Sequence, residues 1–187
     1  HEVNEVFFDD VKVPVANLVH KEGKGWTVAK YLLGHERMNT GRIGASKREM
    51  AKLKEFAAQQ TKNGKPLIDD PRFRDKLSRL EVELMALEIT NLRFLDRMRR
   101  TGQPPGADVS MLKIRGTEIQ QALTEIAVQA AGPMAAPRRL VGPEEAAPFD
   151  PARAHVAANY AGTRATSIFA GSNEIQRNII AKATLGL

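Results

Sequence analysis

From residue 71 onward, apolar residues recur every three or four positions, the spacing of helices that bury one face. Leu77, Leu80, Leu84, Leu87, Phe94 and Met98 form one stripe, and Val82, Met85, Ile89 and Leu92 form a second. The pattern predicts a helix over 71–100 packed against more than one neighbour. Asp70 followed by Pro71 marks its start, since a capping carboxylate accepts from the first free N–H groups and proline at the first helical position forfeits no bond. Val109, Leu112, Ile119, Leu123, Ile126 and Ala130 predict a second long helix over 107–131, stopped by Gly132-Pro133. Further helices are read over 25–60 and 172–183, with a short one at 156–160. The run from Asn4 to Pro14 is different: Val6, Phe7, Phe8, Val11 and Val13 have the density of a strand that Pro14 ends. Gly102 to Gly106 forms a short connection, and Pro137, Pro143, Pro148 and Pro151 mark a longer one. Long amphipathic helices joined by short connections predict an all-α, up-down four-helix bundle behind a short N-terminal strand.

Composition narrows the function classes. The 187 residues are 42% hydrophobic and 27% charged, as in ordinary globular proteins, and no apolar run approaches the length of a membrane span. No cysteine is present, so disulfides and thiol chemistry are excluded; with no signal-peptide pattern either, a cytoplasmic location is the default expectation. The net charge of +6 is spread among acidic residues at helical spacing, and no nucleic-acid-binding motif accompanies it, so no nucleic-acid partner is expected. His1, His20, His35 and His155 lack metal-ligand spacing, and no metal is expected.

Candidate chemistry gathers in two places. On a continuous helix over 25–60, Glu36 shares a face with Ala29, Leu32, Leu33, Thr40 and Ile43, which predicts a carboxylate in apolar surroundings, its pKa raised toward the range of a general base. A structural, ion-paired glutamate is the alternative. Arg37 lies on a different face with Gly34, Gly41 and Gly44, each at a cost of about 1 kcal/mol, which calls for close approach of another backbone or of a flat ligand, or for tight helix packing. In the second place, Ala170-Gly171-Ser172 opens the last helix, whose free N–H groups and dipole favour an electron-rich partner; Ser172 also serves as an N-cap. Trp26 is expected as a core or interface anchor.

The stretches Glu22-Gly23-Lys24-Gly25-Trp26, His35-Glu36-Arg37 and Ser172-Asn173-Glu174-Ile175-Gln176-Arg177 resemble the acyl-CoA dehydrogenases, flavoenzymes that desaturate acyl thioesters, and specifically their C-terminal helical domain. The resemblance covers nearly the whole chain and is nearest to the bacterial branch that includes pimeloyl-CoA dehydrogenase large subunits. It implies that residues 1–22 end a middle β-domain, that 23–187 form the C-terminal domain, and that the chain is an excised piece of a larger enzyme, inactive alone. Where most of the family carries its catalytic glutamate, this chain has Ala170. Isovaleryl-type and long-chain-type members place the base instead on the first helix of the domain, where Glu36 stands here, with Arg37 as a substrate contact. The resemblance further implies FAD beside Gly171, Ser172 and Glu174, with Gln129 and Gly132, in Val128-Gln129-Ala130-Ala131-Gly132-Pro133, at the adenosine end of FAD in a neighbouring subunit. Gln60 and Asn63 stand where the family has an arginine and a phenylalanine, with Lys62 as a substitute charge.

The resemblance thus implies FAD-dependent α,β-desaturation of an acyl-CoA in fatty acid metabolism, electron delivery to an electron-transfer flavoprotein, and a homodimer or homotetramer. The alternative is a degenerate helical assembly module that holds no flavin.

Overall fold

The computed structural model describes residues 4–135 and 155–186, without the side chains of Gly34, His35, Arg37 and Met134. Pro137, Pro143, Pro148 and Pro151 of the expected connection lie outside the described residues. The chain separates into two units, His1–His35 and Glu36–Leu187. In the first, residues 4–14 carry no strand, and the exposed Val6, Phe7 and Phe8 have no strand partner among the described residues; a 3-10 turn follows at Val15–Asn17. Helix α1 spans Gly25–Glu36. Trp26 at its start is 70% exposed, which removes the core alternative for this residue.

The helix expected over 25–60 is broken. After α1 the chain tightens into a 3-10 turn at Arg37–Asn39, passes Gly41, and turns through Arg42 in the left-handed region (φ 46°, ψ 37°) into α2, Ile43–Gln59. The break occurs where this segment crosses α4, Ser110–Ala131. A Cβ on Gly116 would lie 2.5 Å from the Gly41 carbonyl oxygen and 2.7 Å from its Cα, and a Cβ on Gly41 would lie 3.3 Å from the Leu112 carbonyl oxygen. Backbone meets backbone there, so the glycine at 41 serves a close crossing, one of the uses expected of it.

A hairpin the helical reading passes over follows α2. Thr61–Lys62 (β1) pairs antiparallel with Lys65–Pro66 (β2) around Asn63-Gly64, both at positive φ. Asn-Gly is the dipeptide that such a turn prefers.

Helix α3, Pro71–Thr101, starts as expected: the Asp70 carboxylate accepts from the N–H groups of Arg72 at 3.1 Å and Phe73 at 3.0 Å, and from Lys62 Nζ at 2.8 Å. The Lys62 bond and then the Phe73 N–H hold the Asp70 carboxyl below its ordinary 3.8. A depressed folded-state pKa contributes stability above the unfolded value that is lost as pH falls through the folded one. Asp70→Ala should therefore lower the midpoint of thermal unfolding at pH 7, and the gap from the parent should close below pH 3.8. Parallel melting curves at both pH values check this.

Helices α2, α3 and α4 alternate in direction. Lys47 pairs with Glu88 and Lys54 with Glu81, so numbers rise on α2 as they fall on α3. Arg97 to Asp108, Glu83 to Arg115 and Lys76 to Gln129 give the same reversal between α3 and α4. Such exposed pairs are worth under about 1 kcal/mol each; the core carries the stability. It is built from Met50, Leu53 and Ala57 of α2, from Leu77, Leu80, Leu84, Leu87 and Phe94 of α3, and from Leu112, Ile119, Leu123 and Ile126 of α4. Each such side chain contributes on the order of 1.5–3 kcal/mol. The first predicted stripe of α3 is this core. The second is on the surface, with Val82, Met85, Ile89 and Leu92 all more than half exposed. Helix α5, Val156–Thr163, matches the predicted short helix, and α6, Asn173–Leu185, docks its first turn on α4.

Candidate functional site

Three segments of the second unit enclose an open cleft of about 400 Å³. Glu36, the last residue of α1, and the turn after it, through Asn39, Thr40 and Arg42, contribute one wall. One face of α4 contributes Lys113, Thr117 and Gln120. The segment before α6 contributes Thr166, Phe169 and Ala170. Glu36 and Ala170, the two positions between which the sequence divides the role of base, thus share one cavity although 134 residues separate them.

The surroundings of Glu36 differ from expectation. Its side chain is exposed, as are Leu32 and Leu33, and it has no ion pair or hydrogen bond among the described residues. The helical face expected to bury it does not exist, because α1 ends at Glu36 and the turn takes Thr40 and Ile43 out of its register. Arg37 opens the 3-10 turn, and its side chain lies outside the described residues.

The wall opposite is the ordered one. Lys113 is 3% exposed and donates from Nζ to Asn173 Oδ1 at 2.9 Å. Asn173 Nδ2 donates to Thr117 Oγ1 at 3.0 Å, and the Thr117 hydroxyl also reaches the Ile114 carbonyl at 2.9 Å. Burial pushes the Lys113 ammonium below its ordinary value, with Glu174 acting in the opposite sense. This cluster clamps the first residue of α6 and so fixes the turn before it. Ala170 (φ 53°) and Gly171 (φ 79°) take left-handed conformations, and a Cβ on Gly171 would lie 2.7 Å from Gln176 Nε2. Ser172 caps α6 by accepting from the Ile175 N–H at 3.4 Å, as predicted. Glu174 is exposed, and its own backbone N–H followed by the Ser172 hydroxyl lower its carboxyl pKa.

Gln129 and Gly132 are not brought to this cleft. Gln129 is sixteen residues past Lys113, roughly 24 Å further along α4. Its amide oxygen accepts from Lys76 Nζ at 2.8 Å, and the Gly132 Cβ position has open space around it. Gln60 is buried and donates to the Phe56 carbonyl at 3.3 Å, while Lys62, the proposed substitute charge, is engaged by Asp70. Sequence reasoning missed Lys113, Thr117, Gln120 and Arg42. A signal existed for the first: a lysine one position after Leu112 and four after Val109 falls inside the apolar stripe of α4.

Comparison with known proteins agrees with this architecture. The family model "Acyl-CoA dehydrogenase, C-terminal domain" matches residues 23–185. The chain is 34% identical over its whole length to acyl-CoA dehydrogenase IpdE1 of Mycobacterium tuberculosis, and 27% identical over 97% of its length to a short-chain-specific acyl-CoA dehydrogenase of Megasphaera elsdenii. It spans 44% of the length of each. Among solved structures, butyryl-CoA dehydrogenase from Megasphaera elsdenii superposes with a TM-score of 0.73 at 24% identity, over 95% of this chain and 43% of that one. The ChsE4-ChsE5 complex from Mycobacterium tuberculosis superposes with a TM-score of 0.72 at 27% identity, over 97% and 45%.

Proposed function

Because the chain belongs to the acyl-CoA dehydrogenase family through its C-terminal domain, we propose that it is the C-terminal domain of an FAD-dependent enzyme that desaturates an acyl-CoA thioester at its α,β bond, with Glu36 as the base. The observation that carries this reading is the shared cleft of Glu36 and Ala170. Alanine cannot accept a proton, and among the described residues the one carboxylate lining the cleft is Glu36, which has no ion pair there to hold it away from a substrate. In this mechanism the Glu36 carboxylate takes the α-proton of the thioester, Arg37 contributes to substrate binding, and the Lys113-Asn173-Thr117 cluster keeps the 170–172 turn in place. FAD, when bound, supplies the acceptor for the β-hydride, and an electron-transfer flavoprotein is its oxidant.

The residues fit the flavin in two places. Ala170, which lines the cleft, leads within two residues into the N-terminus of α6 at Ser172, and Gln176 Oε1 next to Gly171 is buried without a partner among the described residues. The open backbone at Gly132 beside Gln129 suits a flavin of a second subunit. Residues 1–22 are then the end of the β-domain, and 23–187 the helical domain. The test is the complete gene product: a yellow protein whose flavin absorbance bleaches under an acyl-CoA without oxygen supports the enzyme. A colourless oligomer supports the assembly module, which Ala170 and the inward-bonded Gln60 favour.

Self-association belongs to either reading. The exposed stripe of α3, with Ile89 at 57%, is apolar surface of the kind found in interfaces. A homodimer or homotetramer is expected. Met85→Glu with Ile89→Glu should shift the sedimentation coefficient to a smaller species at unchanged helix content. A monomeric parent would contradict this.

A further inference from the structure

Helix α2 starts at a residue poorly suited to start it. Arg42 occupies its N-cap in the left-handed region, which few side chains adopt, and supplies no capping bond. Its cation stands at the positive end of the helix dipole, and the first turn carries no acidic residue. The amides of Ile43, Gly44 and Ala45 have no hydrogen-bond partner among the described residues. Other helix ends of this chain are built differently. Helices α3 and α6 begin at Asp70 and Ser172, each with a side-chain cap, and end on Gly102 and Gly186, each a glycine in the left-handed region.

A better start lies three residues upstream. Asn39 is of the residue type most favoured at an N-cap, and its side chain makes no hydrogen bond among the described residues. Counted from it, Met38 precedes the cap and Ile43 is the fourth residue of the helix, the pair that forms a hydrophobic staple. Both are partly buried against the core. Both also line a second hollow, of about 310 Å³, beside Asn91 of α3, whose Oδ1 is buried without a partner among the described residues. That hollow and the cleft share Asn39 and Arg42, so the turn has open space on two sides. Gly41, pressed against Gly116 backbone to backbone, has no side chain to obstruct a small rotation.

We infer that Arg42 is a positioning residue whose backbone switches α2 between two starts, Arg42 as described and Asn39, and that Glu36 acts as base from the Asn39 start. Rewinding residues 40–42 gives the amides of Ile43, Gly44 and Ala45 the carbonyls of Asn39, Thr40 and Gly41. The Asn39 carbonyl, which accepts from the Arg42 amide at 3.3 Å in the described state, thereby passes to Ile43. The Asn39 side chain turns from the cleft to the new helix end, and Arg42 leaves the left-handed region. Glu36 is then joined by two residues to a capped helix end whose dipole favours a carboxylate, instead of leading into a 3-10 turn. The role given to Glu36 rests on the acyl-CoA dehydrogenase reading; the two starts do not.

The experiment compares Arg42→Ala with Arg42→Gly in the complete protein. Both remove the guanidinium, so whatever it meets is lost equally, and the two differ only in backbone preference: alanine favours the helical state and glycine tolerates the left-handed one. Hydrogen exchange at the amides of Ile43, Gly44 and Ala45 should be at least about tenfold slower in Arg42→Ala than in Arg42→Gly, with the parent between. Adding Asn39→Ala to Arg42→Ala should reverse much of that protection, because the new start loses its cap. With FAD loaded, anaerobic bleaching of the flavin by an acyl-CoA should be faster in Arg42→Ala than in Arg42→Gly by a similar factor. Equal exchange of the three amides in the two variants overturns the two starts. Unequal exchange with equal bleaching overturns the positioning of Glu36. A parent whose flavin no acyl-CoA bleaches overturns the enzyme reading, and the exchange comparison still decides between one start and two.

Discussion

Glu36→Gln should leave the complete protein folded, yellow and able to bind an acyl-CoA, while its turnover falls by several orders of magnitude. Glutamine preserves the length of the side chain and most of its hydrogen bonding but cannot take up the α-proton, so the loss falls on the chemical step. The structure makes this a clean substitution. Glu36 is exposed and without an ion pair among the described residues, so its neutralisation strands no buried partner, and the melting temperature should stay within the small range of surface changes. The expected signature is a depressed kcat with KM nearly unchanged. Near-normal kcat would remove Glu36 from the mechanism and direct attention to Glu174 or to residues beyond this chain.

The largest stability effect is expected at Gly116. A methyl group there would stand 2.5 Å from the Gly41 carbonyl oxygen and 2.9 Å from its carbonyl carbon, and both neighbours are backbone atoms that no rotamer change can move. Gly116→Ala must push the 37–42 turn off α4, at about 2–3 kcal/mol for an overpacked contact, or roughly 5–10 °C in the unfolding midpoint of a chain this size. The same displacement moves Glu36, Asn39 and Arg42 away from Lys113 and Ala170, so activity should fall beyond what the lost stability explains. A midpoint within 1–2 °C of the parent, which corresponds to about half a kcal/mol or less, would show that the crossing is looser than described. Gly44→Ala is the control, because its Cβ position has only Arg48 Nη1 at 3.9 Å.

The bundle was legible because its long helices obey one rule. On α3 and α4 the apolar period, the Asp70-Pro71 start and the Gly132 stop all point the same way, and the structure follows them within a residue or two at most ends. The break after Glu36 was not legible. Nothing local in His35 to Ile43 opposes a helix except Gly41, and the reason for the break lies 75 residues downstream at Gly116, a contact that periodicity does not report. The exposure of Glu36 follows from the same break. The second stripe of α3 was read correctly as apolar, but a stripe does not say whether its partner belongs to the same chain. Glu36 and Ala170, singled out by their local motifs, line one cleft. Lys113, Thr117 and Asn173 act through one another across 60 residues, and only Lys113, out of place in an apolar stripe, left a trace in the pattern.

The claim that one cleft serves both base positions is tested most directly by moving the carboxylate. In the complete, FAD-loaded protein, Glu36→Gly should be inactive, and adding Ala170→Glu should restore a measurable part of the turnover. The new side chain enters the same cavity from its other wall, at a backbone position whose φ of 53° costs the substitution little more than alanine already bears. Anaerobic bleaching of the flavin by the acyl-CoA, followed in a stopped-flow instrument, reads the step itself. The account predicts bleaching in the parent, none in Glu36→Gly, and partial recovery in the double variant; equal bleaching by parent and Glu36→Gly would contradict it.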